Sequence, residues 1–398
     1  MPSHKSPLIP HELTEEISLR IEKIRACMRE DLLDAILVAS NANIFYTTGR
    51  FFRGYVYITL DRAPIYFVIK PLEMEGQNLS YIRKPEQIVE ILGSLDLPLP
   101  SRLGLEYDAL SYSDIERLRR AFDGCEFANG NSPLRKARMV KTDYEIDRIR
   151  EDALHQMAVY GRVASCWKPD MTDVELQIEI GHLLRLEGSL GYTRAFGPLM
   201  EINDGSLLAG RNADTPSPYE FSMGGGGISP ALPAGADGSI IHPGETIMVD
   251  MSGAFNGYQS DLTRTWRVGE VKEIAQKAHD CSRRICHELE KMALPGTPLS
   301  ALYHRAMEIA EEEHLTDYYM GHRQKAPFIG HGVGIDLNES PVITPRSRDV
   351  IEEKMVLAIE PKFVIPEIGA VGIENTYVVR ADGLENLTPF PEELAPID

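Results

Sequence analysis

The chain has 398 residues, and a single hydrophobic core usually stops growing near about 250 to 300 residues, so we predict two domains. The contents of 43% hydrophobic and 25% charged residues are ordinary for a globular protein, which excludes a disordered or fibrous chain. The formal net charge of −19 at pH 7 argues against nucleic-acid binding, because proteins that bind a phosphate backbone present clustered Lys and Arg.

The cysteine content favours a reducing compartment. Five cysteines form no CxxC pair, and an odd number cannot all pair within one chain, so we predict reduced thiols and a cytoplasmic location. The first residues lack the apolar core of a secretion signal, and no run of about 18 apolar residues occurs. We therefore expect no membrane partner.

The N-terminal part of the chain alternates helical and strand patterns. The predicted elements are a helix at 12–30, a buried strand at 35–39, a hairpin of strands at 55–60 and 65–67, a strand at 103–106 and a helix at 113–121. No GxGxxG or Walker sequence is present, so nucleotide binding has no support. We predict an α/β domain over residues 1–138.

A long amphipathic helix is predicted to begin near Thr142 and to open a second domain over residues 139–398. Thr172 with Glu175 predicts a capping box at the start of another helix. Thr297 followed by Pro298 predicts a helix N-cap and its first helical residue. This domain is expected to mix helices with strands.

Three predicted strands of the second domain each carry an acidic residue inside or at the end of an apolar stretch. These strands are 246–252, 355–360 and 373–379. In the first, Asp250 lies on the face opposite to Val249, and a turn at 255–257 would return the chain so that Asp261 comes near Asp250. Two aspartates this close would repel each other, which indicates a cation between them.

Further donors follow: His331 in GHGVG, Glu360 in AIEPKF and Glu374 in GIENTYVV. The set is then four carboxylates and one imidazole. Such donors suit Mn, Fe, Co or Zn, and carboxylates can bridge two ions at about 3.5 to 4 Å. We predict a site for two divalent metal ions.

These donors stand in VDMSGAFNGYQSDLTRTW, GHGVG, IEP and IEN, with separations of 11, 29 and 14 residues. In contexts and spacings the chain resembles the pita-bread metallopeptidases, which include Xaa-Pro dipeptidase, aminopeptidase P and methionine aminopeptidase, and the related creatinase. The resemblance is close in the C-terminal half, while the N-terminal half looks like the small α/β domain of creatinase and the proline-specific enzymes. It implies an α/β N-terminal domain followed by an α+β pita-bread (creatinase/aminopeptidase) catalytic domain.

The resemblance also implies roles for the donors. Asp250 would bind one metal, Asp261 and Glu374 would bridge both, and His331 and Glu360 would ligate the other. Glu360 would in addition take the proton from a metal-bridging water, so that the resulting hydroxide attacks the substrate. Manganese, cobalt, zinc or iron are the implied ions, and a homodimer is the implied assembly.

Four positions depart from the pattern of these peptidases. Ala234 stands in place of a histidine upstream of the first ligand, Pro327 and Asn338 replace two further histidines, and Gly372 replaces an arginine. The departures spare the metal ligands and alter groups that would hold a peptide. Losing one such donor typically costs ~10² to 10³ in rate, so a changed substrate or reaction is a serious alternative.

Other polar groups are candidates for substrate binding. Asn338 could still donate an amide hydrogen bond to a substrate carbonyl, and His322 is a candidate replacement or else a surface residue. His242 is expected at the surface. Segment 201–221, rich in turn formers, is predicted to be a long loop over the site, and Gly224–Gly227 a flexible loop beside it.

The leading interpretation is a dinuclear-metal hydrolase of a C–N bond, by resemblance an Xaa-Pro dipeptidase or aminopeptidase P-like metallopeptidase. The first alternative is a pita-bread enzyme acting on a non-peptide C–N compound, either a creatinase-like hydrolase or a metal-dependent lyase. The second is a binding protein without turnover. Four retained carboxylates argue against the second alternative, because a scaffold has no reason to concentrate them.

Overall fold

The structure is a computed structural model that describes residues 6–195, 197, 204–219, 221 and 223–397. The chain divides into two compact units, Met1–Arg138 and Met139–Asp398. Within the described ranges, no helix combines the length and apolar character that a bilayer crossing requires.

The first unit is built on a mixed six-stranded sheet. Its elements are β1 (Ser6–Pro7), α1 (Thr14–Glu30), β2 (Ala35–Val38), α2 (Asn41–Thr48), β3 (Arg53–Thr59), β4 (Ile65–Lys70), β5 (Met74–Glu75), β6 (Leu79–Tyr81), α3 (Gln87–Ser94), β7 (Arg102–Leu105), α4 (Tyr112–Ala121), β8 (Glu126–Asn129) and α5 (Asn131–Met139). The strand order is β6-β4-β3-β2-β7-β8, and β3 and β4 form the predicted hairpin. The expected helix–strand opening and the α/β character are confirmed.

The second unit mixes helices with strands that pair antiparallel, except for the parallel pair of Thr263–Val268 and Ala395–Ile397. Its elements are α6 (Asp143–Tyr160), α7 (Val163–Cys166), α8 (Asp173–Glu187), β9 (Gly205–Ala209), β10 (Thr246–Met251), β11 (Thr263–Val268), α9 (Glu273–Met292), α10 (Leu299–Glu312), β12 (Gly330–Gly332), β13 (Glu339–Val342), β14 (Val356–Ile359), β15 (Lys362–Ile365), β16 (Gly369–Gly372), β17 (Asn375–Arg380), β18 (Gly383–Asn386) and β19 (Ala395–Ile397).

These strands form two sheets and a separate hairpin. One sheet has the order β19-β11-β10-β9, the other has the order β13-β12-β14-β17-β18, and β15 pairs with β16. An isolated antiparallel bridge between Thr263 and Glu374 joins the end of β11 to the segment that enters β17. The backbones of the two sheets therefore meet at this bridge. The bridge includes the predicted ligand Glu374 and lies two residues from the predicted ligand Asp261.

Helices cover the outer faces of this strand assembly. One apolar cluster joins α9 and α10 to β14, β15 and β17, and another joins α6 and α8 to β9, β10 and β11. In β10, Val249 belongs to the helix-covered cluster, whereas Met248 packs with Val364 of β15. Because side chains alternate along a strand, Asp250 shares the face of Met248, as predicted, and this face is directed toward the β15–β16 hairpin.

Helix starts were predicted with mixed success. The capping box of Thr172 and Glu175 is confirmed at α8. The prediction for Thr297 is wrong, because α10 begins at Leu299 with Pro298 as its N-cap and no side-chain cap bond. The Thr297 hydroxyl instead donates to the carbonyl of Met292 at 3.2 Å. It therefore bonds to the end of α9 and does not cap α10.

The predicted loop over 201–221 is wrong for its middle part. Gly205–Ala209 forms β9, which pairs antiparallel with β10, and Gly210–Asp214 is a 3-10 helix. Leu207 and Leu208 are fully buried, so burial of apolar side chains overrides the turn-forming composition of the segment. Residues 201–203 and 220 of the predicted loop lie outside the described residues.

Candidate metal centre

The five predicted ligands lie within or at the ends of neighbouring strands of the second unit. Asp250 is in β10, Asp261 precedes β11, His331 is central in β12, Glu360 follows β14 and Glu374 follows β16. Asp261, His331, Glu360 and Glu374 are buried, whereas the Asp250 side chain is 22% exposed. The cluster therefore opens to solvent on the side of Asp250.

Backbone pairing fixes the positions of the acidic residues. Asp250 is directly opposite Thr263 in the β10–β11 pair, and the backbone N–H of Glu374 donates to the Thr263 carbonyl at 3.2 Å. The Thr376 hydroxyl accepts from the Asp261 N–H and donates to the Asp261 carbonyl, both at 2.8 Å. These bonds hold three of the carboxylates at the junction of the two sheets.

His331 presents one ring nitrogen to the carboxylates. Its Nδ1 lies 3.1 Å from the Gly332 carbonyl, and with Nδ1–H donating there, the lone pair of Nε2 is available as a ligand. Nε2 is 3.7 Å from Asp261 Oδ2 and 3.5 Å from Glu360 Oε1. Ligand atoms of Asp261, His331 and Glu374 all lie within 4.8 Å of one another. This spacing suits a cation between the groups.

The electrostatics of the cluster also indicate a cation. Burial, followed by the charges of Glu374 and Asp250, raises the pKa of Asp261 well above its ordinary value. Burial and the charge of Glu360 likewise raise the pKa of Glu374, although the Thr263 hydroxyl donates to Glu374 Oε2 at 2.7 Å. The other oxygen, Glu374 Oε1, is buried without a hydrogen-bond partner. Buried polar atoms normally have a hydrogen-bond partner, so Glu374 Oε1 is an oxygen available to coordinate a cation.

Lys362 was missed by the sequence analysis. It is fully buried, and its Nζ lies 2.9 Å from Asp250 Oδ2, 2.8 Å from Glu360 Oε2 and 3.0 Å from Glu374 Oε2. Burial alone would lower the pKa of Lys362, but the three carboxylates outweigh it and raise this pKa well above its ordinary value. Residues two apart in an extended chain share a face and Lys362 follows Glu360 by two, but Pro361 interrupts the strand between them, so this spacing alone does not place Lys362 in the cluster.

The departure at Gly372 has a structural reason. Gly372 is directly opposite Lys362 in the β15–β16 pair and has a φ of +146°. A Cβ atom at this position would lie 2.8 Å from the Pro361 carbonyl oxygen and 3.0 Å from the Lys362 Cα. This backbone therefore disfavours any side chain here, including an arginine.

The glycine run beside Ala234 packs tightly against its own loop. The Gly227 N–H donates to the Gly235 carbonyl at 3.2 Å, and the Gly235 N–H donates to the Gly224 carbonyl at 2.8 Å. Gly225 has a φ of +78°, and a Cβ there would lie 2.5 Å from the Gly235 carbonyl oxygen. Close backbone approach therefore requires glycine in this loop.

His322 lines a cleft of about 350 Å³ in the second unit. Its Nδ1 lies 2.9 Å from Asp214 Oδ2. The described lining combines apolar and aromatic residues, among them Tyr219, Phe221, Met223, Pro327, Phe328 and Val364, with polar residues such as Ser217 and Gln324. The ring of Phe328 packs edge-on to His331 at 6.5 Å between centroids, so the cleft adjoins the carboxylate cluster. The histidine at 242 is exposed, as predicted, and Asn338 is half-buried in the bend before β13.

The hydroxyl of Thr376 allows a direct test of how the ligands are held. Thr376→Val is expected to lower the free energy of unfolding of the second unit by about 1 to 3 kcal/mol, because it leaves the buried Asp261 N–H unpaired. Thr376→Ser keeps the hydroxyl and should retain most of this stability. Urea denaturation followed by tryptophan fluorescence measures both, since Trp167 and Trp266, the only tryptophans, lie in this unit. Equal losses in the two variants would contradict the assigned role.

Known proteins resemble this chain over nearly its whole length. An Xaa-Pro dipeptidase of Pyrococcus furiosus is 27% identical over 383 residues, covering 94% of this chain and 99% of that protein. An uncharacterized peptidase of Bacillus subtilis is 26% identical over 392 residues, with the same coverages of 94% and 99%.

Solved structures share the fold. An Xaa-Pro dipeptidase from Bacillus anthracis superposes with a TM-score of 0.78 at 23% identity, covering 96% of this chain and 99% of that one. The prolidase from Pyrococcus horikoshii OT3 gives 0.77 at 24% identity, with coverages of 94% and 99%. The predicted fold, an α/β N-terminal domain followed by a pita-bread domain, is confirmed.

Two family patterns account for the two parts of the sequence. Residues 20–140 match the Creatinase/Prolidase N-terminal domain, and residues 147–381 match metallopeptidase family M24. The second match covers more than half of the chain and contains all five predicted ligands. The chain therefore belongs to metallopeptidase family M24.

Proposed function

We propose that the protein is a metal-dependent hydrolase that cleaves the amide bond of Xaa-Pro dipeptides or short proline-containing peptides. The observation that carries the proposal is the convergence of Asp250, Asp261, His331, Glu360 and Glu374 in one cluster, buried except at Asp250, beside a cleft. Full-length similarity to proteins named Xaa-Pro dipeptidase supports the substrate class.

The residues of the cluster fit a divalent ion. Asp261 Oδ2, His331 Nε2 and the unpartnered Glu374 Oε1 form a mixed oxygen and nitrogen donor set. Such a set suits Mn, Fe, Co or Zn. A divalent ion bound there supplies Lewis-acid chemistry, which polarises the scissile carbonyl and makes water more acidic. Manganese as the natural ion stays a prediction.

Glu360 is the proposed proton acceptor. Its Oε2 accepts from Lys362 Nζ at 2.8 Å, which orients the carboxylate, and its Oε1 lies 3.5 Å from His331 Nε2. General-base catalysis requires such a positioned group within reach of the proton that it abstracts. We assign this role to Glu360. The buried metal ligands around it exclude bulk water from its carboxylate.

The cleft beside His331 is the proposed substrate site. The rings of Tyr219 and Phe221 stack at 5.5 Å between centroids, and Phe328 lies between the cleft and His331. The aromatic part of this cleft suits a proline ring, and its polar side chains suit the orientation of the rest of a small substrate. His322, oriented by Asp214, and Asn338 are the proposed hydrogen-bonding groups for the ends of the substrate.

A second candidate function is hydrolysis of a non-peptide C–N compound, such as a guanidino compound or a cyclic amide. Two observations favour it: Lys362 occupies part of the carboxylate cluster, and Gly372 leaves no room for the arginine expected of the peptidases. Both change what the site can bind while its metal ligands remain. A cytoplasmic location and a homodimer stay predictions.

Turnover of defined substrates tests the two candidates. We expect the purified protein loaded with Mn²⁺ or Co²⁺ to release proline from Xaa-Pro dipeptides but not alanine from matched Xaa-Ala dipeptides, measured by liquid chromatography and mass spectrometry. His331→Ala should abolish the activity, since it removes the imidazole ligand, whereas His242→Ala, at an exposed histidine, should retain it. Turnover restricted to guanidino or cyclic amide compounds would favour the second candidate, and no turnover of either class would contradict both.

A further inference from the structure

Lys362 makes three ion pairs inside the carboxylate cluster. An ammonium group has three N–H donors, and the oxygens of Asp250, Glu360 and Glu374 lie 2.8 to 3.0 Å from its Nζ. The ammonium is thus fully coordinated by acidic side chains. It occupies the place of a cation among them.

The carboxylates of Glu360 and Glu374 each face two ways. Glu360 Oε2 accepts from Lys362, while its Oε1 lies 3.5 Å from His331 Nε2. Glu374 Oε2 accepts from Lys362, while its Oε1 is buried without a hydrogen-bond partner. Two carboxylates that bridge two neighbouring cation positions are the arrangement of a dinuclear metal site.

We propose that the Lys362 ammonium permanently occupies one of these two positions, and that the protein binds a single divalent ion through Asp261, His331, Glu360 and Glu374. The proposal deepens the proposed function and rests on it for the use of a metal. Four ionised carboxylates carry four negative charges, of which one ammonium and one divalent ion neutralise three. The prediction of two metal ions would then be replaced by one ion and one lysine.

The position of Lys362 is fixed by its surroundings. Its carbonyl accepts from the Met320 N–H at 2.8 Å, and β15 pairs it with Gly372. The side chain has no exposed surface. A second ion would need the oxygens that the ammonium already holds, and it would lie close to a like charge.

Metal stoichiometry tests the proposal without reference to activity. The full chain is stripped with a chelator, dialysed against Mn²⁺ and analysed by mass spectrometry and electron paramagnetic resonance. We expect about one ion per chain and the six-line spectrum of isolated Mn²⁺. Two ions of similar affinity with an exchange-coupled spectrum would overturn the proposal, and so would no bound ion. Because no substrate is involved, this result is separate from whether peptides are cleaved.

Variants locate the second position. Lys362→Gly removes the ammonium and should raise the stoichiometry from one ion to two, with exchange coupling. Lys362→Met removes the charge but fills the space, so it should not exceed one ion. Lys277→Met, at a lysine on α9 that is 45% exposed, should bind one ion like the wild type. A folded Lys362→Gly protein that binds only one ion would overturn the assignment, and the wild-type measurement decides alone if this variant does not fold.

Discussion

Glu360→Gln is expected to lower kcat/KM on the Xaa-Pro dipeptides that the wild type cleaves by about 10²- to 10⁴-fold, the usual contribution of a positioned general base. Glutamine has nearly the same shape as glutamate, but its amide cannot take a proton at neutral pH. In the structure the Glu360 side chain is buried, accepts a hydrogen bond from Lys362 and lies next to His331. Steady-state kinetics at saturating metal concentration measures the effect.

The matched control is Glu353→Gln, which neutralises an exposed carboxylate on the segment before β14. Surface substitutions of this kind usually change free energies by less than about 0.5 kcal/mol, so the control should behave like the wild type. A loss of less than tenfold in Glu360→Gln, with metal binding retained, would show that another group accepts the proton.

Lys362→Met in metal-free protein is expected to lower the free energy of unfolding of the second unit by about 3 to 5 kcal/mol, because removing one partner of a buried ion pair leaves the other charge uncompensated. Here three carboxylates lose their shared partner at once. Methionine fills a similar volume, so the loss reports charge more than packing. Urea denaturation in the presence of a chelator, followed by tryptophan fluorescence, measures it.

Lys277→Met again serves as the control, since an exposed lysine contributes at most about 1 kcal/mol through its charge. If both variants lose the same small amount, Glu374 is neutralised by a proton in the metal-free protein. The interaction would then contribute little to stability, and the pKa of Glu374, which burial raises to about 8, would be the explanation.

The aspartate pair could be predicted from sequence because its geometry is local. Asp250 lies in a strand, Asp261 follows a short return, and the antiparallel register of β10 and β11 places them together. The donors His331, Glu360 and Glu374 come from distant strands. That these three donors join the aspartates in one site could be predicted only from the similarity of their spacing and sequence context to known enzymes. No local pattern brings these strands together.

Lys362 and β9 could not be placed with the same rules. Pro361 interrupts the extended chain between β14 and β15, so strand alternation did not decide whether Lys362 faced the cluster or solvent. In β9, Leu207 and Leu208 lie within a run of turn-forming residues, and only pairing with β10 makes the segment a strand. In both cases tertiary pairing, which a local pattern does not contain, determined the result.

The bridge between Thr263 and Glu374 gives the carboxylate cluster a mechanical role. The bridge places the cluster at the junction of the four-stranded and five-stranded sheets, and each sheet contributes donors to the cluster. A cation bound there would act as a cross-link between the sheets. Resistance to heat and proteolysis would then rise with the concentration of free ion, by about 2.7 kcal/mol at one hundred times its dissociation constant. Ion supply would set the lifetime of the enzyme as well as its rate.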